Sequence, residues 1–428
     1  MLRAIRQLGC KLILAGVLAE NCPAQTPLTW PEVRDRFVAS NPTLVAGRIG
    51  LKESRAAEIT AFLRPNPQFT GTMDQLTPFG DVPSPNGSLQ NVYRPFAYAL
   101  PLASFSYLHE REHKRELRRD SAQKATAIAT SQLADQERTL VFTVRSAFIQ
   151  TLQQKAVLSL AQENLSYFDE ILKLSRDRRQ LGDMAQVDLD RLEVQRIQYE
   201  TDLQIAIVSL RTAKIQLLTL LNDRTPLDQF DISGTFDFSD HLLSSLAEFR
   251  RIARDTRPDL RAAVESINKA KTDYALARAN ASTDPTFGVD FARNPPIPVY
   301  FGVSVSIPLR IFDRNQGEKA RTLLNITRNQ RLHDAVEAQV FSDVDSAFVT
   351  LNGNLILLKE YKDSYLHQAL QVRDTVLYSY QNGGASLLDF ILAQQDYRAV
   401  RLNYINLIGT VLTAAAQLNL AVGREVLP

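Results

Sequence analysis

Apolar residues follow a heptad pattern in two segments of the chain that lie 201 residues apart. In each segment they recur at alternating intervals of three and four over about 30 residues, a pattern typical of coiled-coil helices. The seam positions are Leu189, Leu192, Arg196, Tyr199, Leu203, Ala206, Leu210, Ala213, Leu217 and Leu220 in the first segment, and Phe390, Ala393, Tyr397, Val400, Tyr404, Leu407, Val411, Ala414, Leu418 and Ala421 in the second. This self-similarity predicts a tandem duplication, with structural repeats at residues 25–235 and 236–428.

Four shorter segments alternate between apolar and small or polar residues, as β-strands do. Val299–Ile307 and Phe287–Phe291 form one pair, and Pro67–Met73 and Phe96–Leu100 form the other. Turn-rich loops join the members of each pair, so we expect β-hairpins at about 67–102 and about 285–309. Four strands with an apolar face cannot close a membrane barrel, because their edge groups would stay unpaired in lipid. The pattern therefore predicts oligomerisation.

Two proline-free runs predict long helices, from about Phe105 to Arg179 and from about Asp313 to Tyr380. A helix of such length reaches on the order of 100 Å, which is more than a compact domain can enclose. Glycines interrupt the pattern at about 179–185 and about 380–386, where the chain can turn into an antiparallel partner helix. We expect both helical hairpin tips at one end of the molecule and both β-hairpins at the other.

The first residues are typical of an export signal. Arg3, Arg6 and Lys11 precede the apolar stretch Leu12–Ala19, and Cys22-Pro23-Ala24 has the small residues of a cleavage site. A signal peptide over residues 1–24 would remove Cys10 and Cys22, leaving no thiol chemistry. Beyond this segment we expect no stretch with the length and apolarity of a membrane-spanning helix.

Composition excludes several classes of protein. The 428 residues are 45% hydrophobic and carry a net charge of +2 with only two cysteines, which excludes a disordered or disulfide-rich chain. The near-neutral balance lacks the basic footprint of a nucleic-acid binder, and the charged run Arg111–Arg119 is interpreted as a solvated helix start.

One short motif suggests zinc chemistry. His109-Glu110-Arg111-Glu112-His113 fits the H-E-x-x-H pattern, in which two histidines one helical turn apart bind zinc. The motif directly follows a predicted strand, and no third ligand follows at a suitable spacing. We interpret it as a charged helix start, and we predict no catalytic, metal-binding or cofactor-binding residue.

Several local signatures resemble those of the TolC-type outer-membrane efflux proteins. Asn41–Leu44 (NPTL) and Arg257–Leu260 (RPDL) are similar to the family's paired helix starts. Ile307–Gly317 (IPLRIFDRNQG) resembles its strand exit, and Tyr380–Gln394 (YQNGGASLLDFILAQ) resembles its second hairpin tip. The signatures occur in the family's order, and the resemblance covers essentially the whole chain after residue 24.

This resemblance implies a fold and a function. It implies a mixed α and β homotrimer with a twelve-stranded barrel in outer-membrane lipid, continued by a twelve-helix barrel across the periplasm. Such a trimer is a passive exit duct for a tripartite efflux or type I secretion system. Its partners would be a periplasmic adaptor and an inner-membrane pump of the RND or ABC type, and transport would draw its energy from the pump.

The resemblance also points to residues at the two tips. The adaptor-contact residues would be Arg179, Leu181, Gly182 and Asp183 in the first tip and Gly383, Gly384, Ser386 and Leu387 in the second. Glycines at these positions are equally well explained by the turn alone. Asp389 falls where the family carries an aspartate at the closed periplasmic mouth, and Asp188 is its repeat equivalent, so both are expected to form the gate. Tyr380 is a further gate residue.

Two other classes of protein are open alternatives. A periplasmic coiled-coil scaffold or adaptor would account for the heptads but not for alternating apolar strands. A secreted zinc metalloprotease would account for His109–His113 and the export signal but not for the duplication.

Overall fold

The computed structural model describes residues 27–96, 98–238, 245–294 and 297–427. The predicted signal peptide at 1–24, with Cys10 and Cys22, lies outside these residues. The α-helices are α1 (Trp30–Ser40), α2 (Pro42–Phe62), α3 (Lys114–Gln180), α4 (Gln186–Leu220), α5 (Leu246–Thr256), α6 (Pro258–Ala279), α7 (Gln316–Glu360), α8 (Leu366–Gln381) and α9 (Leu387–Val422). The strands are β1 (Gln68–Asp74), β2 (Phe79–Pro83), β3 (Leu89–Tyr93), β4 (Leu100–Leu108), β5 (Thr286–Asn294) and β6 (Ile297–Ser306).

The two motifs with Asn-Pro and Arg-Pro begin helices. The Oδ1 of Asn41 accepts from the N–H groups of Thr43 and Leu44 at 3.0 and 3.2 Å, which caps α2. Arg257, only 5% exposed, precedes α6 and pairs with Asp259 at 2.6 Å and Asp343 at 2.9 Å. Because a buried guanidinium is stable only when paired, this cluster ties α6 to α7.

A four-stranded antiparallel sheet has the order β1-β4-β5-β6. The β-strand expected at Phe96–Leu100 is wrong, because β4 starts at Leu100. Strands β1 and β4 are antiparallel, and their register runs from the pair Asp74 and Leu100 to the pair Gln68 and Ser106. Pro101 is tolerated because it lies at the end of β4, outside the residues paired with β5. The loop between β1 and β4 contains the hairpin β2–β3, in which the rings of Phe79 and Tyr93 meet at 5.6 Å.

The long helices project away from this sheet. Helix α3 has 67 residues, and α7 and α8 are joined into one rod by a π-helical turn, Tyr361–Tyr365. The helix expected from about Phe105 begins only at Lys114, because Phe105 belongs to β4. Most predicted seam residues of α4 and α9 are buried, including Leu192 and Leu217 in the first and Phe390 and Val411 in the second.

Helices α4 and α9 begin 201 residues apart, as the heptads do. The duplication and its repeat boundaries stay a prediction.

Two of the described helices, α4 and α9, have the length and composition to cross a membrane. This corrects the expectation that no stretch beyond the first residues has the length and apolarity of a membrane-spanning helix. A core helix of a soluble protein has the same character, and 56% of the most apolar window of α9 is buried inside the chain, against 22% for α4.

The charged run Arg111–Arg119 contains the start of α3, as expected, but it is only partly solvated. Lys114, 4% exposed, donates to Asp284 at 2.6 Å and to the carbonyl of Ser282 at 2.9 Å. Arg115 and Arg119 lie over the ring of Phe62 at 4.2 and 4.4 Å. The run therefore holds the ends of α2 and α6 together, and burial of Lys114 is offset by its ion pair.

Candidate functional site at the helical hairpin tips

Both helical hairpins turn through the same backbone motif. Helix α3 ends at Gln180 and α8 at Gln381, and the turn glycines Gly182 and Gly383 have φ angles of +84° and +78°. The N–H groups of the two glycines and of the residues after them return to carbonyl oxygens of the preceding helix: Gly182 to Arg179 (3.1 Å), Asp183 to Arg178 (2.9 Å), Gly383 to Tyr380 (3.2 Å) and Gly384 to Ser379 (2.8 Å). This Schellman pattern needs a left-handed residue, which glycine supplies without strain.

The helices that leave the tips start differently. In the second tip, Ser386 and Asp389 form a capping box at the start of α9, and Ser386 holds the pKa of the Asp389 carboxyl below its usual range through a hydroxyl and a backbone hydrogen bond. In the first tip, Ala185 precedes α4, and its methyl side chain cannot accept a capping hydrogen bond. Asp188 accepts from Arg191 at 3.3 Å instead. The two aspartates predicted to form the gate thus have different local partners.

A shared apolar core lies under the two tips. Its buried members come from α3, α4 and α9, namely Phe168, Ile171, Leu172, Leu189, Leu192, Tyr199, Leu387 and Phe390. The rings of Phe168 and Tyr199 stack at 4.5 Å, and those of Tyr380 and Phe390 stack at 5.2 Å. The two tips therefore pack side by side at one end of the molecule.

Two predicted site residues belong to this core. Leu387 is only 8% exposed, so its side chain packs within the chain and is not free to touch an adaptor. Tyr380 stacks on Phe390 and has the guanidinium of Arg178 at 5.8 Å from its ring centroid, and burial raises the pKa of its hydroxyl. In this structure its ring packs within the tip and stabilises it. The prediction that Tyr380 is a gate residue requires a side chain that is free to line an aperture, and the packing disagrees with that.

Other tip side chains are exposed. Leu181 is 78% exposed, and Arg179 is exposed while its Nε donates to Gln186 at 3.2 Å. Sequence reasoning missed Val187 and Leu388, which are 59% and 63% exposed. The heptad pattern could have revealed these exposed residues. Each stands two residues before a seam position, so it lies on a face of the helix other than the buried one. Exposed apolar side chains at equivalent places suit a protein contact.

The opposite end of the chain carries a sheet with two different faces. On one face, the central row of paired residues crosses all four strands and consists of Phe69, Phe105, Val289 and Val303. The two adjacent rows on this face are Gly71, Ala103, Phe291 and Phe301 on one side, and Tyr107, Phe287 and Val305 on the other. On the other face, the central row is Thr70, Ser104, Asp290 and Gly302. The apolar face is exposed, and the side chain of Val303 is 76% exposed. Contact between so large an apolar surface and water is unfavourable.

The H-E-x-x-H segment does not form the helix that a zinc site needs. Residues 109–113 lie between β4 and α3, and Glu112 and His113 have φ angles of +55° and +54°. Glu110 forms an ion pair with Arg118, which also donates to the carbonyls of Ala61 and Leu63 at 3.3 Å. Among the described residues, no group of three or more His, Cys, Asp or Glu could hold a metal ion.

Comparison with known proteins gives both relatives and a fold. No protein-family model matches the chain. It is 23% identical over 314 residues, 73% of its length and 74% of the relative, to the cobalt-zinc-cadmium resistance protein CzcC of Cupriavidus metallidurans. It is also 23% identical over 290 residues, 65% of its length, to the pyoverdine export outer membrane protein OpmQ of Pseudomonas putida, of which the match spans 60%.

Solved structures share the fold of this chain. The chain matches CusC, studied for its folding and transmembrane channel formation, with a TM-score of 0.76 at 15% identity over 92% of each chain. It matches the outer membrane protein VceC of Vibrio cholerae with a TM-score of 0.71 at 14% identity, over 92% of this chain and 96% of that one. The chain therefore has the fold of the outer-membrane channels. Together with the homologues, this confirms the resemblance to the TolC-type outer-membrane efflux proteins.

Proposed function

We propose that three copies of this chain form a passive exit duct through the outer membrane. The observation that carries the proposal is the four-stranded sheet, which exposes an apolar face. Its edge strands, β1 and β6, pair with no further strand in the part of the chain that the structure describes. Backbone groups at an edge must be paired inside a membrane, so the sheet needs neighbours on both sides. Three copies would supply twelve strands, with the apolar rows toward lipid and the row of Thr70, Ser104, Asp290 and Gly302 toward the lumen.

The helices support the periplasmic part of the duct. The 67 residues of α3 extend on the order of 100 Å, enough to carry the channel far from the membrane. Each chain contributes two helical hairpins, so three chains would form a twelve-helix barrel whose walls are closed by heptad seams.

The tips would meet the periplasmic adaptor. The contact residues we propose are Arg179, Leu181, Gly182 and Asp183 with Gly383, Gly384 and Ser386, extended by Val187 and Leu388. Exposed apolar and charged groups at both tips support this assignment. Asp389 and Asp188 would narrow the periplasmic mouth, where a ring of carboxylates attracts cations.

The duct would have no catalytic activity, cofactor or energy source of its own. An inner-membrane pump of the RND or ABC type would drive transport and select the substrate, since a wide water-filled conduit discriminates little. The relatives are named for resistance to cobalt, zinc and cadmium and for pyoverdine export, so related ducts serve unlike substrates.

Assembly tests this proposal. The protein should fractionate with the outer membrane, require detergent, and give the mass of a trimer after mild cross-linking. A monomer that stays soluble without detergent would instead favour the periplasmic scaffold. In planar bilayers the trimer should conduct ions without added nucleotide, whereas peptide hydrolysis that depends on Glu110 would support the metalloprotease.

A further inference from the structure

A large cavity lies away from the tips and the sheet, where the start of α1, the middle of α3 and the end of α9 meet. Its volume is about 790 Å³, within the range of small-molecule sites. One wall is apolar, with Val141, Phe142 and Leu420, and Trp30 and Arg145 lie on its lining. These two residues also line a neighbouring cavity of about 350 Å³.

Arg145 is the unusual group of this cavity. Its guanidinium carbon lies 4.5 Å from the ring centroid of Trp30, and Trp30 is held by the ring of Phe148 at 5.7 Å. Among the described residues, Arg145 forms no hydrogen bond or ion pair. Burial lowers the pKa of this guanidinium, and Glu425 acts on it only through Coulomb attraction. A guanidinium stacked on an indole keeps its N–H edges free for a planar acceptor.

Two of the other cations that line the cavity already have partners, whereas Arg424 forms no hydrogen bond or ion pair among the described residues. Arg138 donates to Asp135 and to the carbonyl of Leu420. Arg34 donates to Asp35 at 3.3 Å and lies 3.8 Å from Glu425. Glu137 and Glu425 also line the cavity and would repel a second negative charge on a ligand. Because Glu137 and Glu425 offset part of the charge of the unpaired Arg145 and Arg424, the lining suits one carboxylate better than a dianion. The apolar wall suits a hydrocarbon body.

We propose that this cavity binds a small amphipathic carboxylate, with its head on Arg145 and its body against Trp30 and the apolar wall. The proposal does not depend on the duct function, because it rests only on the cavity and its side chains. A bidentate carboxylate would give Arg145 the partner it lacks among the described residues.

Trp30 makes the test direct, since it is the only tryptophan of the chain. The assembled protein in detergent or nanodiscs is titrated with 4-phenylbutanoate while Trp30 fluorescence is recorded. We expect a saturable change, with affinity at least about tenfold weaker for the neutral 4-phenylbutan-1-ol and for inorganic phosphate. Arg145→Gln should weaken 4-phenylbutanoate binding by a similar factor, and Arg145→Lys should lie between the two because it keeps the charge without the fork.

Arg211→Gln is the matched control, because Arg211 is an exposed arginine on α4 away from the cavity. It should bind 4-phenylbutanoate like the parent. The proposal is overturned by the absence of a saturable change in the parent protein, by equal affinities for the acid and the alcohol, or by unchanged binding in Arg145→Gln. The comparison of acid with alcohol uses only the parent protein, so it decides the matter even if Arg145→Gln does not fold.

Discussion

The hydroxyl of Ser386 donates to the Oδ2 of Asp389 at 2.7 Å, and the backbone N–H of Ser386 donates to the same oxygen at 3.0 Å. In return, the N–H of Asp389 donates to the Ser386 hydroxyl oxygen at 3.2 Å. The carboxylate that we place at the channel mouth therefore also caps the helix that carries it. Asp188 lacks this second function, because Ala185 stands where the second tip has Ser386.

Replacing Asp389 with Asn should weaken cation binding at the mouth. Three carboxylates around one axis attract divalent cations, and removing their charge removes that attraction. In planar bilayers, the Asp389→Asn trimer should show less block by divalent cations from the periplasmic side. Asp188→Asn should have a smaller effect if only the second tip lines the aperture. Unchanged block in both single variants and in the double variant would exclude the aspartates from the gate.

The block should also depend on pH in one direction. Hydrogen bonds from Ser386 lower the pKa of Asp389, so its carboxylate stays ionised below the ordinary value of about 3.9. Cap stability is then fully present above that value and is lost as pH falls through the lowered pKa. Repulsion among the three carboxylates of the ring acts in the opposite direction, so block should stay constant from pH 7 to about pH 5 and decline only in more acid solution. A midpoint near neutrality would assign the block to another group.

The two faces of β6 should tolerate charge differently. Val303 lies on the apolar face and Ser304 on the other. A lysine at the lipid face costs about 2–4 kcal/mol at the middle of the bilayer, whereas one in the lumen does not. Val303→Lys should reduce the trimer recovered from the outer membrane, while Ser304→Lys should assemble and lower cation conductance. Equal recovery of both variants would contradict the assigned faces.

The sequence predicted the regular parts of this molecule and missed those that depend on distant partners. Heptad seams such as Leu192 and Leu217 are buried as expected, since a periodic apolar stripe needs only neighbouring helices. The length of β4 was missed because its small residues, such as Ala103 and Ser104, carry little apolar signal. Burial of Lys114 could not be predicted, because its partner Asp284 lies 170 residues away.

The candidate site, too, could be predicted from local sequence patterns but not where it depends on contacts between distant segments. Turn glycines revealed where the tips lie, because a left-handed residue has a local sequence signature. The packing of Tyr380 on Phe390 and of Leu387 in the shared core depends on how two hairpins meet, which no local pattern encodes.

Leu387 and Leu388 should separate stability from adaptor docking. Leu387 is buried, so Leu387→Ala should destabilise the tip by about 2–5 kcal/mol. Leu388 is 63% exposed, so Leu388→Ala should change stability by less than about 0.5 kcal/mol. Leu388→Ala should nevertheless reduce cross-linking to the adaptor and efflux-dependent resistance. Normal docking in Leu388→Ala and in the equivalent Val187→Ala would show that these side chains do not contact the adaptor.

Glu110→Gln should leave efflux intact. The Glu110 carboxylate pairs with Arg118 rather than lying on a helix between two histidines, so its loss removes one ion pair. Resistance should match the parent, and the purified protein should hold no stoichiometric zinc by elemental analysis. His113→Ala serves as the comparison, and bound zinc that disappears in that variant would revive the metal site.

Deletion of Asp363 should be tolerated, although it lies within a helical rod. The proposed repeats are offset by 200 residues at Val144 and Val344 but by 201 at Leu189 and Phe390, so the second repeat has one extra residue between these points. The π-helical turn Tyr361–Tyr365 lies in that interval, and a single inserted residue is what a π-turn accommodates. Removing Asp363 should convert the turn to regular α-helix and keep both flanking seams in phase.

Gln162 provides the matched deletion, because it is an exposed residue at the equivalent place in the uninterrupted helix α3. Deleting it should rotate every later residue of α3 by about 100° and turn Phe168 and Leu172 away from the tip core. Trimer recovery and efflux-dependent resistance should therefore survive in the Asp363 deletion and be lost in the Gln162 deletion. If both deletions abolish assembly, the π-turn is required for a shape that an α-helix cannot adopt. If both are tolerated, the seams do not fix the register of the rods, and the heptad argument for the helical barrel fails with them.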